Sequence, residues 1–369
     1  MNSISLCMIV KNEEKNLERC LNSAEKLVDE IIIVDTGSID QTKAICESFH
    51  AKIYDYEWTD NFSDARNYCI SKATTDWILW LDADEQLLID DIDTVKEMLS
   101  DNETALYSLQ LQHLNRGEQD DFEEYYISYH YRLFRNNCGY KFQGSIHEYI
   151  ALEDNRDLGK TKIINTITIK HYGYGEEDAL EKSVRNLKLL LNEKTRNSDN
   201  PWLDYHIAAE LYRLKDINRS YSFVNNAISM FVTQNLVPPP LVYKLKYEII
   251  TNYCNTDSAV IAIEKAIELY PDYVELYFYK GSMQYQQKKY EEAIKSFQKC
   301  LVLGEFNPNY LILSGNGSYK PYYYIGLCYE ETDKTLHAIE AFTQSLLINP
   351  KFKPSLDRLD LIRDKMLLS

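Results

Sequence analysis

The sequence predicts two architectures in tandem: an α/β domain on a mostly parallel sheet, then an all-α array of stacked helical hairpins. Three observations predict it. Residues 1 to about 100 alternate short apolar runs with amphipathic segments, residues 104–172 change to strand-like pieces, and the chain after Pro201 becomes helical and self-similar. The boundaries read as 1–175 for the α/β domain, 176–200 for a connecting helix and linker, and 201–369 for the array.

Ile4 to Val10, Glu30 to Asp35, Ala51 to Tyr56 and Trp77 to Asp82 are short apolar runs of strand length. Between them, Lys15 to Leu27, Gln41 to Phe49 and Asp64 to Ala73 space their apolar residues at helical period. That rhythm gives βαβ units, hence parallel strands with helices on both faces. Leu106 to Leu114, Ile127 to Phe134 and Ile163 to Tyr172 supply further strands of the same domain. A helix is expected from Glu176 to about Lys194, and the polar run Asn197 to Pro201 reads as a linker.

Stacked hairpins need small residues where their two helices cross, and commonly a proline closing the second helix. Gly281, Ala293 and Cys300 repeat as Gly326, Ala338 and Ser345, with Pro350 in the closing position. A weaker unit has Tyr247, Ala259, Ala266 and Pro271, and the weakest has Ala208, Ser220 and Ala227. The step from Tyr247 to Gly281 is the 34-residue period of a tetratricopeptide repeat, and a loop around Glu305 to Ser318 lengthens the next step. Four units are expected, stacking into a short superhelix because one hairpin cannot bury its apolar face alone. Most of the 30 tyrosines, including Tyr277, Tyr279, Tyr285 and Tyr290, then serve packing, while a few line a concave groove.

With 40 Lys+Arg against 57 Asp+Glu, the net charge of -17 argues against nucleic acid or an anionic membrane as partner. No segment approaches 18 uninterrupted apolar residues, and Met1 leads almost at once into a strand, so a cytoplasmic protein without a transmembrane segment is expected. The eight dispersed cysteines contain no C-x-x-C pair and read as buried free thiols.

The chemistry concentrates in Trp77-Ile-Leu-Trp-Leu-Asp82-Ala83-Asp84-Glu85. A strand ending in two carboxylates on alternate residues places them at the carboxyl edge of a parallel sheet, where ligands bind. Hard oxygen donors there suit Mg²⁺ or Mn²⁺ holding a diphosphate. Strand one ends in Lys11-Asn12-Glu13-Glu14 and strand two in Asp35-Thr36-Gly37-Ser38-Ile39-Asp40, which puts Asp35 on the same edge as Asp82. Asp40 reads as a helix cap.

These motifs, with Phe62-Ser63-Asp64-Ala65-Arg66-Asn67, resemble glycosyltransferase family 2, whose Rossmann-like domain has the GT-A fold. Lys141-Phe-Gln-Gly-Ser-Ile-His147-Glu148 and Lys170-His171-Tyr-Gly-Tyr174 resemble the branch joined to tetratricopeptide repeats, which includes bacterial peptide glycosyltransferases that modify cysteine. The resemblance implies a nucleotide-sugar donor, a UDP-sugar above all, with inverting transfer to a peptide, protein or cell-surface glycan acceptor. It carries Glu13 and Asp35 onto nucleoside contacts, Arg66 onto the diphosphate, Asp82 onto the ribose and Asp84 onto the metal. His171 is a further metal ligand on this reading. Two departures stand out: Thr36 occupies a position where many members have Asp, and the Glu-Asp catalytic dipeptide is absent. Glu148 is the candidate base in its place, with His147 orienting it or binding acceptor or phosphate. An ordinary salt bridge is the competing reading of Glu148. Arg132 and Arg135 either bind donor or cap the sheet. The repeats would select the acceptor and also admit self-association; a non-catalytic repeat scaffold is the alternative function.

Overall fold

The computed structural model describes residues 2–114, 124–144, 148–152, 159–173, 176–254 and 256–368, without the side chains of 176–179 and 368. It divides into two compact units, Met1–Asn115 with Ile127–Tyr174, and Arg116–Tyr126 with Gly175–Ser369.

The first unit runs β1 (Ile4–Val10), α1 (Leu17–Ala24), β2 (Glu30–Asp35), α2 (Thr42–Ser48), β3 (Lys52–Asp55), α3 (Phe62–Ile70) and β4 (Trp77–Trp80). It continues through β5 (Glu85–Ile89), α4 (Ile92–Leu99), β6 (Thr104–Leu114), β7 (Tyr125–Arg135), β8 (Tyr140–Gln143), β9 (Tyr149–Leu152) and β10 (Lys160–His171). The sheet order is β3-β2-β1-β4-β7-β6-β10-β5. Strands β1 to β4 pair in parallel, and Leu6, Cys7 and Met8 of β1 are fully buried because helices cover both faces. Helix α1 buries Leu17, Cys20, Leu21 and Ala24, one stripe at helical spacing.

The second half of the sheet is mixed: β7 runs antiparallel to β4, β10 parallel to β6, and β5 antiparallel to β10. Among the described elements of this unit four were not anticipated, namely β5, α4 and the two strands of the β8–β9 ribbon. Helix α4 has its own start signal, Asp91, whose carboxylate accepts from Asp93 N at 3.0 Å and Thr94 N at 3.2 Å. Strand β4 stops at Trp80, two residues short of the expected Asp82, because the chain turns there and Glu85 N bonds Asp82 O at 3.0 Å.

In the second unit come α5 (Glu176–Arg196), α6 (Pro201–Arg213), α7 (Ile217–Thr233), α8 (Pro240–Tyr253), α9 (Ala259–Leu269), α10 (Val274–Gln286) and α11 (Tyr290–Leu303). After the two-residue β11 (Ile312–Leu313) follow α12 (Tyr319–Glu330), α13 (Thr335–Ile348) and α14 (Lys353–Leu368). Helices α6 to α13 form the expected hairpins, and Gly281 and Gly326 sit where Phe297 and Phe342 press against their backbone. The long step between the last two hairpins is closed by Glu305, whose carboxylate accepts from Gly315 N, Gly317 N and Ser318 Oγ at 2.6, 3.2 and 2.7 Å. Pro201 opens α6 at its first position, with Asn200 accepting from Trp202 N at 3.0 Å. Lys194 of α5 pairs with buried Asp204 of α6, which ties the connecting helix to the first hairpin.

All eight cysteines are free, but the expectation that they are buried fails for two: Cys138, in the turn after β7, and Cys254, just past α8, are exposed. Each lies outside the regular elements. Among the described residues no helix is long and apolar enough to cross a membrane.

Candidate active site

The carboxyl ends of β1 and β2 are stitched into one platform. Asn12, in the left-handed region at φ 56°, donates its N–H to Ser38 Oγ and accepts from Ile39 N, each at 2.9 Å. Gly37 takes φ 107°, which lets Gly37 N and Ser38 N converge on Asp35 Oδ1 at 2.6 and 2.7 Å. Asp35 is 1% exposed, and its other oxygen, Oδ2, has no hydrogen-bond partner among the described residues. A buried carboxylate oxygen left without a donor is costly unless a ligand supplies one. Thr36 turns inward and donates to Val10 O at 3.1 Å, so this position joins strands. Glu13 is buried beside Asn16, whose Nδ2 donates to its carboxylate at 3.2 Å. Asp40 accepts from Thr42 N at 3.0 Å, starting α2 from one position upstream of its cap.

Beyond β4, residues 82–85 form a turn held by Glu85, whose Oε2 accepts from Asp82 N at 2.9 Å. Asp82 is in register beyond Trp80, which pairs with Cys7, while Asp35 pairs with Val10. Asp35 and Asp82 therefore lie on one edge across β1, two strand spacings or about 10 Å apart.

Arg66 of α3 stacks on the Trp80 ring at 4.5 Å and bridges two acids, Asp82 Oδ1 at 3.2 Å and Glu148 Oε1 at 2.6 Å. Arg132 of β7 pairs with Glu85 Oε1 at 2.6 Å and reaches Asp82 Oδ2 at 3.7 Å. Glu85 is 1% exposed, and burial pushes its carboxyl up to about 7 against the opposing pull of Arg132. Asp84 accepts from Tyr172 N through its carbonyl at 3.1 Å, and its Oδ2 faces His171 Nε2 at 3.1 Å. Burial opposes the charged His171 ring, but the hydrogen bond and charge of Asp84 outweigh it and raise the group. Burial holds His113, beside His171, down at about 3.

The structure thus gathers Arg66, Asp82, Arg132 and Glu148 into one run of ion pairs, with Asp84 and His171 as a pair next to it. Asp35 and Glu13 sit at the ends of β2 and β1, and His147 lies outside the described residues. Arg135 takes the capping role: it donates to Thr104 O and Asp101 O at 2.9 and 2.7 Å and stacks on Trp77. Three side chains escaped the sequence reading. Glu85 was visible as the fourth residue of Asp-Ala-Asp-Glu; Trp80 under Arg66 and His113 beside His171 carried no motif. Among the described residues no three His, Cys, Asp or Glu side chains close around one point as a metal cage. The Asp84–His171 donor pair still fits a divalent ion whose remaining ligands are diphosphate oxygens and water.

Carboxylates and guanidiniums thus gather beyond the carboxyl ends of parallel strands, where ligands bind in open α/β sheets. Residues 5–151 match the model of Glycosyl transferase family 2, and residues 274–307 and 319–352 match tetratricopeptide repeat models. The N-terminal unit matches the family 2 glycosyltransferase model on a mixed sheet consistent with the GT-A fold, and the helices after it form a tetratricopeptide superhelix. A TPR repeat-containing protein of Synechococcus elongatus is 36% identical over 211 residues, 56% of this chain and 49% of that one. The SPbeta prophage-derived glycosyltransferase SunS of Bacillus subtilis is 28% identical over 234 residues, covering 62% and 54%. An uncharacterized glycosyltransferase of Rickettsia typhi is 28% identical over 191 residues, covering 50% and 65%. The chain spans about half the length of the first two relatives.

Proposed function

We propose that the chain transfers a sugar, with inversion, from a nucleotide-sugar donor, preferentially a UDP-sugar, to a peptide, protein or glycan acceptor in the cytoplasm. Residues 1–175 are the catalytic domain on this reading, 176–200 the connection, and 201–369 the repeats that select acceptor. The observation that carries it is the Arg66 guanidinium spanning Asp82 and Glu148 beside the Asp84–His171 pair.

The orphaned Asp35 Oδ2 supports a nucleoside contact, because a base or ribose donor would satisfy it. Glu13, on the adjoining loop, closes the same end, and Asp82 takes the ribose. Arg66 and Arg132 present fixed positive charge where the diphosphate leaves. Asp84 and His171 would hold Mn²⁺ or Mg²⁺, the imidazole favouring Mn²⁺. When bound, the cation offsets charge on the departing diphosphate. A donor diphosphate competes with Glu148 for Arg66, which releases the Glu148 carboxylate to take the proton of an acceptor hydroxyl or thiol. His147 stands next to that carboxylate in sequence and is proposed to orient it.

A panel of nucleotide sugars with Mn²⁺, read by intact mass of peptides and proteins from the same cell, tests the reading. One acceptor gaining one sugar mass, and losing it with Asp84→Ala, is the expected result. No transfer from any donor, with the full chain folded and partner proteins bound, would replace it with a non-catalytic scaffold.

A further inference from the structure

A line of histidines leads away from the Asp84–His171 pair. His171 at the end of β10 is in register with His113 on β6, and their Nδ1 atoms are 3.1 Å apart with the rings at 89°. The far side of His113 meets Ser128 through Nε2 at 2.8 Å, and Ser128 Oγ is 3.0 Å from His130 Nε2. Both Ser128 and His130 are on β7.

Two nitrogens in that arrangement share one proton, so the line has a direction. If His171 donates, His113 accepts at Nδ1, carries its proton on Nε2, and donates that to Ser128, whose hydroxyl then points to His130. If the direction is reversed, His113 donates and the proton of a neutral His171 stands on Nε2. The reversed line is self-consistent as a hydrogen-bond network. The reversed line keeps the only ring proton of a neutral His171 on Nε2, where it bonds Asp84 Oδ2; in the forward line Nδ1 keeps its own proton directed at His113, so an ion can replace the Nε2 proton and take that lone pair.

We propose that His113 is a positioning residue: it accepts the Nδ1 proton of His171 and fixes that ring so that Nε2, bonded to Asp84 in this structure, is the nitrogen whose lone pair an ion would take. This rests on His171 as metal ligand. Ligating histidines are commonly oriented by a partner on the other ring nitrogen, and loss of such a partner weakens metal binding about 10- to 100-fold. Here the partner is itself held by Ser128, so the ring of His113 has a fixed plane as well as a fixed proton.

The test uses the full chain labelled with ¹⁵N-histidine, with the His113 tautomer read by long-range ¹H–¹⁵N NMR and Mn²⁺ uptake by electron paramagnetic resonance. The expected results are a proton on His113 Nε2, Mn²⁺ binding weakened about 10- to 100-fold in His113→Phe, and most of it restored in His113→Gln, whose amide oxygen accepts. A proton on His113 Nδ1, or His113→Phe binding Mn²⁺ as tightly as the parent, overturns the proposal while metal binding stands. A parent chain that takes up no Mn²⁺ overturns the metal reading and this role together, and circular dichroism of each variant separates misfolding from either.

Discussion

Replacing Gly326 by alanine tests the repeat packing most directly. An added Cβ would stand 2.5 Å from Cε1 of Phe342, against 3.4 Å for ordinary contact. Phe342 is fully buried, its ring 5.8 Å from that of Tyr323 and packed in the cluster of Leu327, Ala338 and Ile362, so it has little room to retreat. Overpacking of this kind costs about 1–3 kcal/mol, and alanine returns about 1 kcal/mol of helix propensity. Overlap at 2.5 Å with a fully buried ring puts the cost in the upper part of that range, about 2–3 kcal/mol, so the net expectation is a loss of about 1–2 kcal/mol, a fall in melting temperature of several degrees for a unit of this size. The equivalent Gly281→Ala meets Phe297 at 2.9 Å, a smaller displacement, and is expected to come out near neutral. Urea denaturation of the full chain followed by far-UV circular dichroism ranks the two. A second change, Phe342→Leu, clears the ring, so the pair should couple favourably in a double-mutant cycle. Gly326→Ala as stable as the parent, or less harmful than Gly281→Ala, would refute the close crossing.

The other expectations concern the site and the sheet. Arg66→Lys keeps a charge but loses the planar guanidinium, whose Nη2 meets both Asp82 and Glu148 and whose face stacks on Trp80, so kcat/KM should fall by about 10²–10³ with stability changed little; turnover at the parental rate would remove Arg66 from the chemistry. Burial alone would raise the Glu30 carboxyl, yet hydrogen bonds from Lys52, Ser5 and Thr74 hold it at about 2. Its folded value lies below the ordinary 4.5, so its contribution is complete above pH 4.5 and is lost as pH falls through that window towards 2. Allowing for the exposed Lys52, the loss is on the order of 2 kcal/mol, and Glu30→Gln should flatten the acid limb of a stability–pH curve by that amount.

The sheet's parallel half was legible because strands covered on both faces are unbroken apolar runs, and Ile4 to Val10 or Glu30 to Asp35 have few other ways to be buried. The crossing glycines were legible for a similar reason: Gly281 and Gly326 answer a local steric demand that recurs in each hairpin. Strand β5, helix α4 and the β8–β9 ribbon were not, being short segments whose apolar residues become meaningful only beside a partner strand or helix.

At the site, the sequence by itself determined which acids stand at which strand ends, because a carboxylate straight after a buried strand has one edge to occupy. Asp35 closes β2 in this way, and Asp82 follows two residues past β4. Only the tertiary structure decided which charges neutralise one another. Arg66 meets Glu148 across 82 positions of chain, Arg132 turns to Glu85, and His113 comes to His171 through the pairing of β6 with β10. Such contacts are set by helix placement and strand order, and pairwise Coulomb and hydrogen-bond energies depend on distances that no local spacing of residues encodes.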